Sequence, residues 1–202
     1  MTRSPSRPSL RPPGRSTIRI DRVVTRGGDG GETSLGDGTR VRKDHPRIAA
    51  LGAVDEANAA IGVLRLHTAG RAEIDATLAA IQNDLFDLGA DLCVPGTEPT
   101  RHRLGAAPLA RLEAAAARHN AGLAPLTSFV LPGGHPAAAH AHLARAIARR
   151  AERDVVALGL AEPLNPNLVR YLNRLSDLLF ILARVLNDDG AADIPWRPAE
   201  PG

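Results

Sequence analysis

The sequence contains few aromatic residues, one cysteine and one lysine. Only 2% of its 202 residues are Phe, Trp or Tyr, while Cys93 and Lys43 are the sole members of their types. A single cysteine excludes an internal disulfide and favours a reducing, cytoplasmic location. The shortage of side chains that stack on bases argues against a nucleic-acid partner. Because no run of 18 apolar residues occurs, no membrane-spanning helix is predicted.

The formal charge of +3 is concentrated at the N-terminus. Residues 1–15 contain four arginines and no acidic residue, so the rest of the chain is nearly neutral. A basic face that would hold nucleic acid is therefore not expected in the remaining chain.

Composition divides the chain into three parts. Residues 1–17, rich in Pro, Ser and Arg, are predicted to be disordered. A transit peptide is the alternative for this tail, but its recurring prolines disfavour an amphipathic targeting helix. Residues 18–190 are the predicted helical domain, which opens with a glycine-rich loop and one short strand at 18–24. Residues 191–202 are predicted to be a flexible tail.

Five segments repeat apolar residues every three or four positions, the period of a helix facing a core. The pattern predicts helices over 46–64, 74–92, 108–116, 136–158 and 166–186. Pro46, Pro136 and Pro166 stand at three of the predicted starts, where proline sacrifices no helical hydrogen bond. With short connections, these segments predict an all-α five-helix bundle.

The predicted fourth helix carries a polar face beside its small-residue seam. Arg145, Arg149 and Glu152 follow at i, i+4 and i+7 and share that face. Two guanidinium groups one turn apart suit a polyanion, and Glu152 is placed to orient one of them. In a chain with 24 arginines, a solvated arginine-rich face is the alternative.

Polar residues also lie next to the seams of the first and fifth helices. Asp55 and Asn58 share a face of the first helix, and Asn173, Asp177 and Phe180 share one of the fifth. Such residues are candidates for a binding site. The alternative is that they are core or capping groups with ordinary hydrogen-bond partners.

Residues 25–34 form a glycine-dense segment with hydroxyl side chains. Glycines permit turns that direct successive backbone N–H groups toward a phosphate. The segment is not a Walker loop, because it lacks Gly-Lys-Ser/Thr, and a flexible linker remains the alternative. No Glu-x-x-His pair occurs on the helices, so no protein-held metal centre is predicted.

Five motifs in order make the chain resemble the PduO-type ATP:cobalamin adenosyltransferases. The resemblance extends from Val24 to Asn187. Its motifs are Thr-Arg-Gly-Gly-Asp-Gly-Gly-Glu-Thr-Ser (25–34), Val-Asp-Glu-Ala-Asn (54–58), Phe-Val-Leu-Pro-Gly-Gly (129–134), Arg-Arg-Ala-Glu-Arg (149–153) and Leu-Asn-Arg-Leu-Ser-Asp (172–177).

The resemblance implies a homotrimer of five-helix bundles whose ATP and cobalamin sites lie between neighbouring subunits. The family's transfer of the 5′-deoxyadenosyl group from ATP to the cobalt of cob(I)alamin releases triphosphate, with Mg²⁺ present. The residues that would bind ATP are Thr25, Arg26, Gly27, Gly28, Thr33, Ser34 and Lys43 of the loop, with Arg149, Glu152, Arg153 and Asn173 of the helices.

The same resemblance implies catalytic and cobalamin-binding residues. Arg149 and Lys43 would stabilise the triphosphate, and Arg145 would pair with Asp55 of the neighbouring subunit. Asp55 would also border the cobalamin, Phe129 would press on the lower corrin face, and Phe180 would add apolar lining. A cobalamin reductase and a cobalamin-dependent enzyme are the implied partners.

Two loop residues depart from the family pattern. The family commonly has Thr where this chain has Gly27 and Lys where it has Gly30. A lower affinity for ATP is expected, because a hydroxyl and a cation are lost. The alternative function is a delivery module that binds ATP and cobalamin without chemistry.

Overall fold

The computed structural model describes residues 23–99 and 101–199. Its helices are α1 Pro46–Arg65, α2 Ala72–Leu92, α3 Ala106–Asn120, α4 Pro136–Ala161 and α5 Pro166–Val185. The predicted five-helix architecture is confirmed: three helices begin at the expected prolines, and α3 is longer than predicted at both ends. None of the described helices combines the length and hydropathy needed to cross a bilayer.

Side-chain caps fix where two of the proline-initiated helices begin. The ring of His45 accepts a hydrogen bond from the Arg47 amide at 3.1 Å before α1. Before α5, the side chain of Asn165 accepts from the Asn167 amide at 3.1 Å. Each cap pairs an amide that the first helical turn leaves without a partner.

The bundle is arranged in the order α2, α1, α4, α5, α3, with α4 at its centre. Ala144, Ala148 and Ala151 of α4 are fully buried, and their small side chains let α1 and α5 approach closely. Helices α1 and α4 run antiparallel: Arg47 pairs with Glu162 at 2.6 Å at the start of α1. At its end, the rings of His67 and His140 stack at 4.4 Å.

A buried carboxylate joins three helices on the other side of the bundle. Asp84 of α2 accepts hydrogen bonds from the Tyr171 hydroxyl of α5 at 3.0 Å and the Arg111 guanidinium of α3 at 2.6 Å. Burial, followed by the nearby Asp84 charge, raises the pKa of Tyr171 far above its usual value. This network holds α5 in a fixed position against α2 and α3.

Two small antiparallel sheets flank the helices. Strand β1 (Glu32–Ser34) pairs with β2 (Arg40–Arg42), and β3 (Val130–Leu131) pairs with β4 (Ile194–Pro195). The glycine-rich loop thus runs into a hairpin that the sequence did not predict. Residues 23 and 24, the described end of the strand predicted at 18–24, are not in a strand. Residues 1–22, which include the predicted disordered tail and the rest of that predicted strand, lie outside the described chain.

The C-terminal segment makes contacts that sequence analysis did not predict. Sequence analysis assigns residues 191–202 to a flexible tail beyond the domain. Within this range, β4 pairs with β3, more than sixty residues earlier in the chain. A strand of two residues has no periodicity that sequence analysis can detect.

Candidate active site

Two arginines project from the surface of α4 one turn apart. Arg149 is exposed, and its guanidinium has no hydrogen-bond or ion-pair partner within residues 23–99 and 101–199. Arg145 is half-buried, and its Nε is among the buried polar atoms without a partner in the same ranges. Burial, followed by the charge of Arg149, lowers the pKa of Arg145 from its usual value. The pair therefore presents cationic donors that are available to an anion.

A hydrogen bond between α4 and α5 fixes two other predicted residues. The Asn173 amide donates to the Glu152 carboxylate at 3.0 Å. Glu152 was expected to orient an arginine of its own helix, but the structure turns it toward α5. The side-chain oxygen of Asn173 also accepts a long hydrogen bond from the Arg174 guanidinium at 3.4 Å, so both the nitrogen and the oxygen of its side-chain amide have partners.

Arg153 lies on the same helix but is directed differently. Its guanidinium donates to the backbone carbonyl of Arg149 at 3.0 Å.

An aromatic cavity of about 630 Å³ opens beside Arg145. Phe129 is 79% exposed at its edge, and its ring lies edge-on to Trp196 at 6.1 Å. The Arg145 guanidinium carbon lies 6.0 Å from the centre of the Phe180 ring. The lining residues are Leu126, Thr127, Ser128, Phe129, Val130, Arg145, Phe180, Trp196 and Pro198.

The structure brings Arg145, Phe129 and Phe180 to one cavity, and it adds Trp196, which sequence analysis missed. The only available signal was that Trp196 is the single tryptophan of a chain with few aromatic residues. Its contact with Phe129 depends on the pairing of β3 and β4, which the sequence did not indicate.

A buried histidine lies behind this cavity. His142 is 2% exposed, its ring is 6.0 Å from that of Phe180, and neither ring nitrogen has a hydrogen-bond partner in the described ranges. Burial, followed by the charge of Arg145, lowers the pKa of His142, and Asp193 opposes that shift. The imidazole is therefore neutral at neutral pH.

The glycine-rich loop is folded onto the β1–β2 hairpin. The Lys43 amide donates to the Gly31 carbonyl at 2.9 Å, so the loop and Lys43 are adjacent. The Lys43 side chain lies over Gly28: a Cβ on that glycine would be 3.0 Å from Nζ. Arg26 adopts a φ of 59°, in the left-handed region that rarely accommodates side chains.

Arg40 stabilises this loop, which sequence analysis did not predict. Its guanidinium donates to the Gly27 carbonyl at 3.0 Å and to the Ser34 hydroxyl at 3.3 Å. Thr25 lies beside Gly27, where a Cβ would meet the threonine Oγ1 at 3.8 Å, an ordinary contact. The space around Gly30 is open.

A second cavity of about 550 Å³ lies between the hairpin, α1 and α2. Its walls include Thr33 and Ser34 of β1 together with Asp55 of α1. Asp55 is exposed and forms no ion pair with Arg145 in the described structure. The loop residues and the α4–α5 residues thus form two separate groups in one chain.

Comparison with known proteins identifies a family to which the sequence is similar. The sequence profile described as cobalamin adenosyltransferase matches residues 23–186. A cobalamin adenosyltransferase of Cupriavidus metallidurans is 49% identical over 180 residues, covering 89% of this chain and 96% of that protein. A corrinoid adenosyltransferase of Mycobacterium tuberculosis is 47% identical, covering 90% and 95%.

A solved structure shares the fold over nearly the whole domain. It is a variant of the PduO-type ATP:corrinoid adenosyltransferase from Lactobacillus reuteri, complexed with cobalamin and ATP. The two chains superpose with a TM-score of 0.81 at 33% identity, covering 88% of this chain and all of the other.

Proposed function

This chain belongs to the cobalamin adenosyltransferase family, and from that membership we propose how its residues perform the reaction. The enzyme transfers the adenosyl group of ATP to the cobalt of a corrinoid and releases triphosphate. One observation carries the proposal: the cationic face of α4 borders an aromatic cavity of about 630 Å³. Guanidinium groups suit the triphosphate, and the cavity suits the broad face of a corrin ring.

Arg149 and Lys43 are the proposed cations for the triphosphate. Both side chains are exposed and lack an ion-pair partner in the part of the chain that the structure describes. The loop adds amides and hydroxyls from residues 25–28, 33 and 34. Glu152 and Asn173, already bonded to each other, present a fixed polar edge to the nucleotide. Arg153 joins them by exchanging its bond to the Arg149 carbonyl for a phosphate oxygen.

The chemistry requires alignment and charge from the protein, because the nucleophile is the reduced cobalt of the corrinoid substrate. Its electron pair forms a bond to the 5′ carbon of ATP while the bond from that carbon to the triphosphate oxygen breaks. The triphosphate leaves with the electron pair of the broken bond. Holding the two substrates in line contributes several kcal/mol, and a cation on a packed helix that is aimed at the leaving group, as Arg149 is here, adds about 3 kcal/mol.

Phe129 is the proposed contact with the lower face of the corrin. A large apolar ring at the rim of the cavity, edge-on to Trp196, can exclude the lower axial ligand of the cobalt. Loss of that ligand makes reduction of the cobalt easier, because the ligand donates electron density to the metal. Phe180 lines the same cavity beneath Arg145.

Magnesium is proposed to arrive bound to ATP. Among residues 23–99 and 101–199, no group of three His, Cys, Asp or Glu side chains is arranged to hold a metal ion. Mg²⁺ keeps several water ligands and binds readily to substrate phosphates. Its role is to neutralise charge on the departing triphosphate.

A homotrimer would unite the two groups of site residues. In one chain, Thr33, Ser34 and Asp55 line one cavity, whereas Arg145 and the aromatic residues line another. An Asp55–Arg145 pair across a heterologous interface would bring the loop of one subunit to the α4–α5 face of the next. The unpartnered Nε of Arg145 supports this proposal, since a buried donor requires an acceptor.

A spectral assay with ATP and reduced cobalamin tests the activity. Formation of adenosylcobalamin with stoichiometric release of triphosphate is expected. Binding of both substrates without product would instead favour the delivery module. We also propose a cytoplasmic location. A reductase is the proposed source of electrons, and a cobalamin-dependent enzyme is the proposed recipient of the product. Pull-down with the product-loaded protein can test whether these two partners bind.

Mixing two variants that are each nearly inactive tests the shared site. Lys43→Glu repels the triphosphate and Arg149→Ala lacks the leaving-group cation, so neither should turn over at an ATP concentration well below the KM of the loop variant. Co-refolded at equal amounts, the two kinds of subunit should regain about a quarter of the wild-type activity if the two residues act across an interface. If they act within one chain, no mixed site is complete and no activity returns. Sedimentation of each variant shows whether it assembles.

A further inference from the structure

The segment after α5 contains a buried polar cluster that the reaction itself does not use. Arg184, Asn187 and Asp193 form this C-terminal polar cluster. The Arg184 and Asp193 side chains are 9% and 7% exposed and pair at 2.9 Å, while Asn187 is fully buried. The Asn187 amide donates to Asp193 at 3.3 Å, which joins the three residues.

The cluster holds both ends of the loop that carries Phe129. On the near side, the Arg184 guanidinium donates to the Ala124 carbonyl at 2.9 Å. On the far side, the side-chain NH2 of Asn187 donates to the backbone carbonyl of Gly133 at 3.1 Å. The side-chain oxygen of Asn187 accepts from the backbone N–H of His135 at 2.9 Å. The loop is therefore fastened on either side of its exposed ring.

Close approach at the far side requires glycine. Gly134 has a φ of 93°, and a Cβ there would lie 2.2 Å from the Asn187 oxygen. No side chain fits at that distance, and few adopt that backbone conformation. Gly134, the last residue of the 129–134 motif, thus leaves room for the Asn187 side chain.

The cluster also positions the chain that follows it. Beyond Asp193, β4 pairs with β3, and the Trp196 amide donates to the Phe129 carbonyl at 2.8 Å. The Ser128 hydroxyl donates to the Trp196 carbonyl at 2.9 Å. These bonds set the two aromatic rings edge-on at the mouth of the cavity.

We infer that Arg184, Asn187 and Asp193 are positioning residues that hold Phe129 and Trp196 in the arrangement required for adenosyl transfer. The inference rests on the proposed role of the aromatic cavity. A buried polar network with all its members bonded is rigid, and one with a missing partner is not. The cluster touches neither residues 25–43 nor Arg149, so it acts on the corrin side of the reaction.

The Asp193→Asn variant tests the inference with Trp196, the only tryptophan, as reporter. It leaves the Arg184 charge buried without its partner while changing side-chain size little. We expect kcat to fall about tenfold with the KM for ATP unchanged, because the reacting geometry loosens. Acrylamide should quench Trp196 fluorescence more strongly than in the wild type. Asp193→Glu, which retains the charge, should recover part of both properties.

Asp189→Asn is the matched control. Asp189 lies in the same turn and is exposed, and its carboxylate has no bond within the described residues. The same change of charge there should leave kcat and Trp196 quenching at wild-type values.

Unchanged quenching or unchanged kcat in Asp193→Asn would overturn the inference. If that variant does not fold by circular dichroism, Arg184→Lys decides: it retains the buried positive charge but removes the guanidinium fork that bonds both Asp193 and the Ala124 carbonyl, and it should shift both readouts in the same direction. Wild-type protein that forms no adenosylcobalamin would refute the proposed function. Even then, comparing acrylamide quenching of Trp196 in the wild type and the variants would show whether the C-terminal polar cluster holds Trp196 in place.

Discussion

The two halves of the proposed site are built differently. On α4 and α5, residues are held by bonds between elements, such as the 3.0 Å hydrogen bond from Asn173 to Glu152. The N-terminal half is a glycine-rich loop on a small hairpin, where Lys43 is exposed and Arg40 supplies the main side-chain bonds to the loop. In one half, the packed helices fix the backbone that carries the site residues before any ligand binds, and the other half is held by few contacts.

Because of this difference, we expect the two halves to contribute to different steps of the reaction. Groups on packed helices lose little conformational entropy when a substrate binds, so they are suited to transition-state stabilisation. A loop must be ordered on binding, so its residues affect affinity for ATP more than the rate of the bound complex. Variants in the helix half should therefore lower kcat, whereas variants in the loop should raise the KM for ATP.

The largest effect is expected from Arg149→Ala. Removing one cation aimed at a leaving group lowers kcat by about 10²- to 10³-fold. Steady-state formation of adenosylcobalamin measures the loss. Arg170→Ala, an exposed arginine on α5 without a partner among the described residues, is the control and should turn over normally. If Lys43→Ala lowered kcat more than Arg149→Ala, the division between the halves would be wrong.

Phe129→Ala should slow adenosylation by about 10- to 100-fold while the affinity for ATP remains near that of the wild type. The ring is 79% exposed, so its removal should cost little stability. Stopped-flow spectra and ATP titration separate the two steps. Leu160→Ala, which removes an exposed apolar side chain from the end of α4, is the control. Equal losses of ATP affinity and rate would contradict the assignment of Phe129 to the corrin.

Helical periodicity and proline positions predicted the five helices because these signals are local. The small-residue seam on α4 and the polar face beside it also follow from spacing along one helix. The spacing does not show which helix packs against each of these faces. Glu152 was correctly placed beside the seam, but its bond to Asn173 depends on how α5 packs against α4.

The C-terminal contacts could not be predicted for the same reason. Trp196 reaches Phe129 through two paired strands of two residues each, and Asn187 reaches Gly133 across 54 positions. The segment's proline and acidic residues predict a loose tail when they are considered alone. Its stability comes from partners distant in sequence.

A smaller effect is expected in the loop from Gly28→Ala. A Cβ there would be 3.0 Å from the Lys43 Nζ and 3.3 Å from the Glu32 carbonyl, so the lysine must move. The KM for ATP should rise about two- to fivefold, since an exposed cation that is displaced loses up to about 1 kcal/mol. Gly30→Ala makes the same change in open space and serves as the control. A fall in kcat at unchanged KM would show that the loop acts in the chemical step.

The smallest effect should come from Gly30→Lys, which restores the residue common in the family. Nothing lies within 4 Å of a Cβ at Gly30, so the side chain can extend toward the triphosphate without moving the loop. The KM for ATP should fall about two- to threefold at low ionic strength, because an exposed charge contributes a few tenths of a kcal/mol. Salt should remove the gain by screening the charge. Gly122→Lys adds the same charge in another open turn and should not change the KM. If both variants improved ATP binding equally, net charge would account for the effect, and the loop would have no specific role in holding the phosphates.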